Sequence, residues 1–165
     1  MHPLFTDCYC TQFRRTSGAL TKIYDEALEP VGLRITQFSL LRGLGRLGSA
    51  TLTQLAEESA LDLTTISRNA KLLVERGWVD VLPGEKDRRE KRLSLNESGK
   101  AAVKNAMPQF RKAQHRIEKH MKNYFRGPTE ARLIEALETL QRAARDELEP
   151  NSPPRSRKAR RKPRP

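Results

Sequence analysis

The stretch from Thr51 to Leu95 constrains the fold of this chain more than any other. Two short helical patterns follow one another at its start, and after Gly77 the apolar spacing changes from about 3.6 residues to about 2. Asp62 is suited to cap the start of the second helix, and Gly77 to end it. The residues expected to form the buried stripe of that helix, over 63–76, are Leu63, Ile66, Ala70, Leu73 and Val74. The stretch therefore predicts a short helix, a turn, a second helix and a hairpin.

The opposite side of the 63–76 helix carries hydrogen-bonding groups and positive charge. This mixture predicts contacts with DNA bases, because arginine can pair with guanine, and asparagine with adenine, through two hydrogen bonds. The residues expected to contact base edges are Thr64, Thr65, Arg68 and Asn69, with Ser67 and Lys71 next in order. Thr51 and Gln54, at the start of the preceding helix, could hold a phosphate on its N-terminal amides. The alternative interpretation is a polar face that meets only solvent.

The predicted hairpin over 78–95 has two alternating strands and a charged tip. Val79 and Val81 are expected on one side of the first strand, with Leu93 and Leu95 alternating on the return strand. The tip reads P-G-E-K-D-R-R-E, which contains a Pro-Gly turn signal. An arginine on a projecting hairpin suits the negative potential of a narrow minor groove, so Arg89 is predicted to anchor DNA binding. The predicted phosphate contacts are Arg88, Lys91 and Arg92, although Arg88 and Arg89 could instead pair with Glu85 and Glu90.

Helical patterns account for most of the remaining chain. A first helix is predicted within 4–28, and a second from Thr36, as its cap, to about Leu47. Asn96 is expected to cap a long helix that runs to about Phe125 and is kinked at Pro108, and a final helix is predicted over Thr129–Leu148. The fold class is therefore mainly α with a small β-hairpin wing, a winged helix-turn-helix.

The apolar stripes of the terminal helices have no central core left to cover, which predicts pairing with a second copy of the chain. The predicted organisation is an N-terminal helix in a dimerisation region over 1–35, a DNA-binding region over 36–96 with its wing at 78–95, dimerisation helices over 97–149, and a disordered basic tail over 150–165. The formal net charge is +12, and seven arginines and lysines lie in that tail, so the folded part is only mildly basic. No apolar run suits a membrane span and no signal pattern is present at the N-terminus, so a cytoplasmic, nucleoid-associated location is expected.

Three segments of this sequence together resemble the MarR family of bacterial winged-helix transcriptional regulators, over about residues 8–148. They are G-L-R-I-T-Q-F-S-L-L at 32–41, L-D-L-T-T-I-S-R-N-A-K-L-L-V-E-R-G-W-V at 61–79, and D-R-R followed by L-S-L-N-E-S-G at 87–99. The resemblance implies a homodimer that binds pseudo-palindromic operators, usually as a repressor, and leaves DNA when a small molecule or an oxidant acts. It also places Asp87 and Arg89 at the family's wing pair, in which the arginine enters the minor groove and the aspartate holds it.

The resemblance also suggests two kinds of signal. Cys10 lies fourteen positions before Tyr24, the spacing that the peroxide-sensing branch of the family uses for its reactive cysteine and a tyrosine partner, although Arg14 replaces that branch's second tyrosine. Cys10 is therefore a candidate redox sensor, and the alternative is a buried cysteine that acts as a small hydrophobic residue. A small aromatic or phenolic anion is the other candidate effector, at the meeting point of the first, second and fifth helices.

The predicted function is a sequence-specific DNA-binding regulator, acting as a repressor. One alternative is an architectural DNA-binding protein with little sequence preference, and another is a thiol redox protein that turns over peroxide. An enzyme is not expected, because the sequence has no nucleophile elbow, phosphate-binding glycine loop or metalloprotease helix. No cofactor is expected, and no metal site, since Cys8 and Cys10 would point apart on a helix and the histidines have no matching spacing.

Overall fold

Helices make up most of the chain in the computed structural model, which describes residues 8–84, 89–124 and 129–148. The helices are α1 (Tyr9–Leu28), a short 3-10 turn (Glu29–Val31), α2 (Ile35–Leu47), α3 (Leu52–Ser59), α4 (Leu63–Glu75), α5 (Glu97–Tyr124) and α6 (Thr129–Leu148), and the strands are β1 (Ser49–Ala50), β2 (Val79–Pro83) and β3 (Lys91–Leu95). The chain divides into two compact units, the first ending at Ile117 and the second beginning at Glu118. The predicted bounds of the final helix are confirmed, and the predicted tail over 150–165 lies outside the described residues.

The predicted hairpin is present, and it belongs to a three-stranded antiparallel sheet in the order β1-β3-β2. Val79 pairs with Leu95 and Val81 with Leu93, while Ala50 of β1 pairs with Leu93 from the other side. Val79 and Leu93 are buried. Val81, further along the hairpin, is 48% exposed.

The core of the first unit is built around α2. Phe38, Leu40, Leu41 and Leu44 of this helix are almost completely buried. They pack in one cluster with Leu28 of α1, Leu33, Ala50, Leu55 of α3, three residues of α4 (Ile66, Ala70 and Leu73), Val79, Leu93 and Ala106 of α5. The buried stripe predicted for α4 is therefore confirmed at its centre and wrong at Leu63, which is 51% exposed. Leu63 is exposed because it is the first residue of α4, and the first turn of this helix extends past the edge of the core.

The start of α2 differs from the prediction. The helix begins at Ile35, so Thr36 lies inside it and is not its cap. Instead the carboxylate of Asp25, on α1, accepts a hydrogen bond from the Ile35 amide at 2.7 Å and pairs with the Arg34 guanidinium at 3.1 Å. An acidic group from a neighbouring helix thus satisfies the first turn of α2, where the helix dipole favours negative charge.

The first turn of α5 packs on the segment that follows α4. Asn96 caps α5 as predicted, since its Oδ1 accepts a hydrogen bond from the Gly99 amide at 3.0 Å, and its Nδ2 donates to the Gly77 carbonyl at 3.0 Å. Gly99 is buried against the backbone of Trp78, which leaves no room there for a Cβ atom. The helix then continues through Pro108 to Tyr124, and a kink at Pro108 stays a prediction. No helix of the described ranges is long and apolar enough to cross a membrane.

Candidate nucleic-acid interface

Hydrogen-bonded caps fix the starts of both helices of the helix-turn-helix. At α3, the Gln54 amide donates to Thr51 Oγ1 at 3.2 Å and the Thr51 amide donates to Gln54 Oε1 at 3.0 Å, which is a capping box. At α4, the Thr65 amide donates to Asp62 Oδ1 at 2.8 Å and the Thr65 hydroxyl to Asp62 Oδ2 at 2.7 Å. These hydrogen bonds lower the pKa of Asp62 below its usual value. The predicted Asp62 cap is confirmed, and α4 starts at a well-defined residue.

One face of α4 presents polar and cationic side chains to solvent. Thr64, Ser67, Arg68 and Lys71 are all exposed. Lys71 lies 3.8 Å from Glu75, but both side chains are largely exposed, so the pair is a weak one. Thr65 and Asn69 are half-buried, and they are held by other bonds: the Thr65 hydroxyl donates to Asp62, and Asn69 Nδ2 donates to the Thr65 carbonyl at 2.8 Å. The structure therefore brings four of the six predicted α4 residues to one accessible surface.

Three cations of the wing, Arg89, Lys91 and Arg92, lie among the described residues and differ in exposure. Arg89 and Lys91 are exposed. Arg92 is only 21% exposed, and its guanidinium donates to the Ser49 hydroxyl at 3.1 Å and the Ser49 carbonyl at 2.8 Å, with Glu90 at 3.7 Å. Arg92 thus ties β3 to β1 from the middle of the sheet. Asp87 and Arg88, the other predicted wing residues, lie outside the described residues.

Aromatic rings and an arginine fill the junction of α1, α2 and α5, where the sequence predicts an effector. Tyr24 stacks on Phe110 with ring centres 5.3 Å apart, and Phe38 lies 5.1 Å from Phe110. The Tyr24 hydroxyl donates to Gln114 of α5. The Arg42 guanidinium lies over both phenyl rings, at 5.8 and 5.3 Å from their centres. The sequence patterns gave no signal for Arg42.

Two cavities among the described residues border α2. One of about 390 Å³ adjoins Arg42 and is also lined by Thr36, Ser39 and Arg46. Another, of about 610 Å³, lies between α1 and the start of α2, and its lining is mostly charged, including Lys22, Asp25 and Arg34. The smaller cavity suits an organic anion better, because aromatic rings lie directly behind its arginine.

Both cysteines are exposed at the start of α1, so the alternative of a buried cysteine is wrong for the single chain. Cys8 is the N-cap of α1, and hydrogen bonds with the side chain and amide of Thr11 lower the pKa of its thiol. Arg14 Nη2 lies 3.7 Å from the sulfur of Cys10, on the next turn of the helix. Within the described part of the chain, no group of three or more His, Cys, Asp or Glu side chains could hold a metal ion.

Comparison with known sequences and structures points to one family. Residues 33–91 match the model of the MarR family. An uncharacterised HTH-type transcriptional regulator of Bacillus subtilis strain 168, YwoH, is 34% identical over 86 residues, which are 52% of this chain. This chain spans 62% of the length of that relative.

Solved structures match over most of the chain. The transcriptional regulator MosR of M. tuberculosis is 30% identical with a TM-score of 0.73, and the match covers 86% of this chain and 98% of MosR. MosR in complex with DNA is 32% identical, with a TM-score of 0.72 and coverage of 84% and 97%. CouR of Rhodococcus jostii RHA1, bound to p-coumaroyl-CoA, is 25% identical, with a TM-score of 0.65 and coverage of 84% and 92%. The chain has the winged helix-turn-helix fold and belongs to the MarR family.

Proposed function

We propose that this protein is a transcriptional repressor that binds a pseudo-palindromic operator as a homodimer. One observation carries the proposal: the capped helix α4 presents Thr64, Ser67, Arg68 and Lys71 on one exposed face, beside a wing with Arg89 and Lys91 exposed. A helix of this kind fits the major groove, and a basic hairpin beside it fits the adjacent backbone and minor groove. The solved complex of MosR with DNA, a relative with the same fold, supports DNA binding by this chain.

The individual roles follow from side-chain chemistry. Arg68 is long, exposed and able to grip guanine through two hydrogen bonds, so it contributes to sequence choice, worth about 1–3 kcal/mol against a wrong base. Arg89 provides affinity through the minor groove, with Asp87 as its proposed partner, while Lys91 and Arg88 contact phosphates. At α3 the capping box already uses the amides of Thr51 and Gln54, so a phosphate there would be held by the Gln54 side-chain amide.

The proposed dimer rests on the apolar surface of the second unit. Leu133, Ile134 and Leu140 of α6 are 41–47% exposed and Leu148 is 81% exposed. Leu133, Leu140 and Leu148 are seven and eight residues apart, so they lie on one side of the helix and form a stripe that a second copy could cover. Light scattering on the full chain should give twice its 18.9 kDa mass.

The proposed signal is a small aromatic carboxylate or phenol that binds beside Arg42. This arginine can pair with an anion while Phe38 and Phe110 lie behind it, and α2 and α5 meet at the same point. CouR, whose solved complex contains p-coumaroyl-CoA, supports an aromatic effector. Oxidation of Cys10, or of Cys8 with its lowered thiol pKa, is the second proposed signal.

Selection of bound sequences from a random duplex pool tests the proposed function. The purified protein should enrich an inverted repeat whose half-sites lie about one helical turn apart. Arg68→Ala should lose discrimination at one position of each half-site, and Arg89→Ala should weaken binding to all sequences. Lys104→Ala, which removes an exposed cation from α5, is the matched control and should retain both properties.

Retention of DNA without any enriched motif would contradict the proposal. That result would favour the architectural protein, for which the seven arginines and lysines of the 155–164 segment supply a sequence-independent attraction. Deleting residues 150–165 would then abolish most of the binding. For a specific regulator, the same deletion should lower the salt dependence and leave base preference intact.

A further inference from the structure

An apolar side chain stands at the leading end of α4. Leu63 is the first residue of the helix and is 51% exposed, whereas Ile66, Ala70 and Leu73, three, seven and ten positions later, are at most 5% exposed. The helical pattern alone would place Leu63 with those buried residues. The structure instead leaves it outside the core, next to the exposed Thr64.

The position of Leu63 is fixed by the cap beside it. Asp62 is bonded twice to Thr65, and the Ile66 amide donates to the Asp62 carbonyl at 3.1 Å. Side chains of a helix point back toward its N-terminus, so Leu63 covers the surface ahead of the first turn of α4. In helix-turn-helix proteins, it is the N-terminal part of the recognition helix that contacts base edges.

We propose that Leu63 contacts the C5-methyl group of a thymine in each half-site. The proposal rests on the proposed function, since it requires α4 to enter the major groove. The thymine methyl is the apolar group that base pairs present in that groove. Thr64 also carries one methyl group, but among Leu63, Thr64, Ser67 and Arg68, the exposed side chains of this end of α4, that of Leu63 is wholly apolar and the largest apolar surface. In this proposal Leu63 recognises the methyl group of thymine, whereas its neighbours recognise the hydrogen-bond donors and acceptors of the bases.

A second exposed leucine on the same helix provides a matched comparison. Leu72 is 44% exposed but lies in the C-terminal half of α4, nine residues beyond Leu63. Single exposed leucines are common on protein surfaces, so exposure alone would give both residues the same role. Position along the helix separates them, because only Leu63 lies in the turn expected to meet bases.

The test replaces thymines of the selected operator by deoxyuridine, one position at a time and in both half-sites. Deoxyuridine keeps the hydrogen-bonding groups of thymine and lacks its methyl. In the unmodified protein, replacing the contacted thymine in both half-sites should weaken binding by about fifteenfold, because each half-site loses one methyl contact that is worth about fourfold. Leu63→Ala should bind the natural operator more weakly and show no further loss from deoxyuridine at that position. Leu72→Ala should respond to deoxyuridine as the unmodified protein does.

Two results would overturn the role of Leu63. One is an unmodified protein whose binding does not change with deoxyuridine at any position, which requires no variant and so cannot be confused with misfolding. The other is a loss at one thymine that persists unchanged in Leu63→Ala. Failure of the proposed function is distinct from both, because then the random pool would yield no operator, and α4 would have no bases to read.

Discussion

Replacing Gly99 with alanine tests how closely the start of α5 packs on Trp78, in the segment that follows α4. A Cβ atom at this position would overlap the carbonyl oxygen of Trp78 and lie 2.6 Å from Leu95 Cδ1 and 3.1 Å from the Trp78 carbonyl carbon. Carbon atoms in contact normally stay about 3.5–4.0 Å apart. Because the nearest atom, the Trp78 carbonyl oxygen, belongs to the backbone, no side-chain rotation can make the necessary space.

The cost of this substitution can be estimated from the overlap. Inserting a group into a well-packed site costs about 1–3 kcal/mol, and a backbone obstacle places Gly99→Ala at the upper end. Alanine recovers up to about 1 kcal/mol of helix propensity, but Gly99 lies in the first turn of α5, where that gain is small. A net loss of about 3 kcal/mol should lower the melting temperature by about 9 °C in a protein of this size.

Thermal and urea unfolding of the unmodified protein, Gly99→Ala and Gly18→Ala would check the predicted loss of stability. Gly18 is the matched control, because it lies inside α1 and no described atom outside its own helix is within 4 Å of its added Cβ. Gly18→Ala should therefore raise the free energy of unfolding by about 0.5–1 kcal/mol. If Gly99→Ala proved neutral, or stabilised the protein as Gly18→Ala does, the close approach of α5 to Trp78 would be refuted.

Three further predictions concern the caps and the wing. Arg92→Ala should lower the free energy of unfolding by about 2 kcal/mol, because it removes two charged hydrogen bonds to Ser49. Unchanged stability, together with a slope of log K against log salt concentration that is smaller by about one, would instead show that Arg92 contacts a phosphate. Asp62→Ala should lower the free energy of unfolding at neutral pH. The difference in this free energy from the unmodified protein should disappear as the pH falls below 3.8 and through the lowered pKa of folded Asp62, because a protonated carboxyl no longer caps α4. A difference that does not vary with pH would contradict this prediction. Cys8 should be alkylated by iodoacetamide at a lower pH than an ordinary thiol, measured by mass spectrometry in a Cys10→Ser background. Thr11→Ala should reduce the difference, because it removes the side-chain hydrogen bond and keeps the amide.

Local periodicity was sufficient to predict the helices and the hairpin. The caps at Asp62 and Asn96 were also predictable, since each residue bonds to an amide three positions away. The role of Thr36 was predicted wrongly because the group that caps α2 comes from Asp25, ten residues earlier on another helix. A local pattern contains no information about such a partner.

The same limit applies to the candidate interface. Ser49, the partner of Arg92, lies 43 residues away, on a strand of two residues that is too short to show alternation. Leu63 fits the spacing of a buried stripe, but burial depends on where the core ends, and spacing does not reveal that edge. The exposed face of α4 was predicted more successfully because it depends only on the geometry of one helix.

The hydrogen bond from Asn96 to Gly77 and the contact of Gly99 with Trp78 allow α5 to act as a lever on the segment that follows α4. The 21 residues of α5 from Glu97 to Ile117, all within the first unit, span about 31 Å, and their N-terminal end is attached to Gly77 and Trp78, which follow α4. Tilting this segment by about 6° around Ile117 would carry Asn96 through about 3 Å, which is comparable to the distance between successive base pairs along one strand. A displacement of a few tenths of an ångström near the pivot would therefore be enough to move the end of α4 by about the spacing of one base pair.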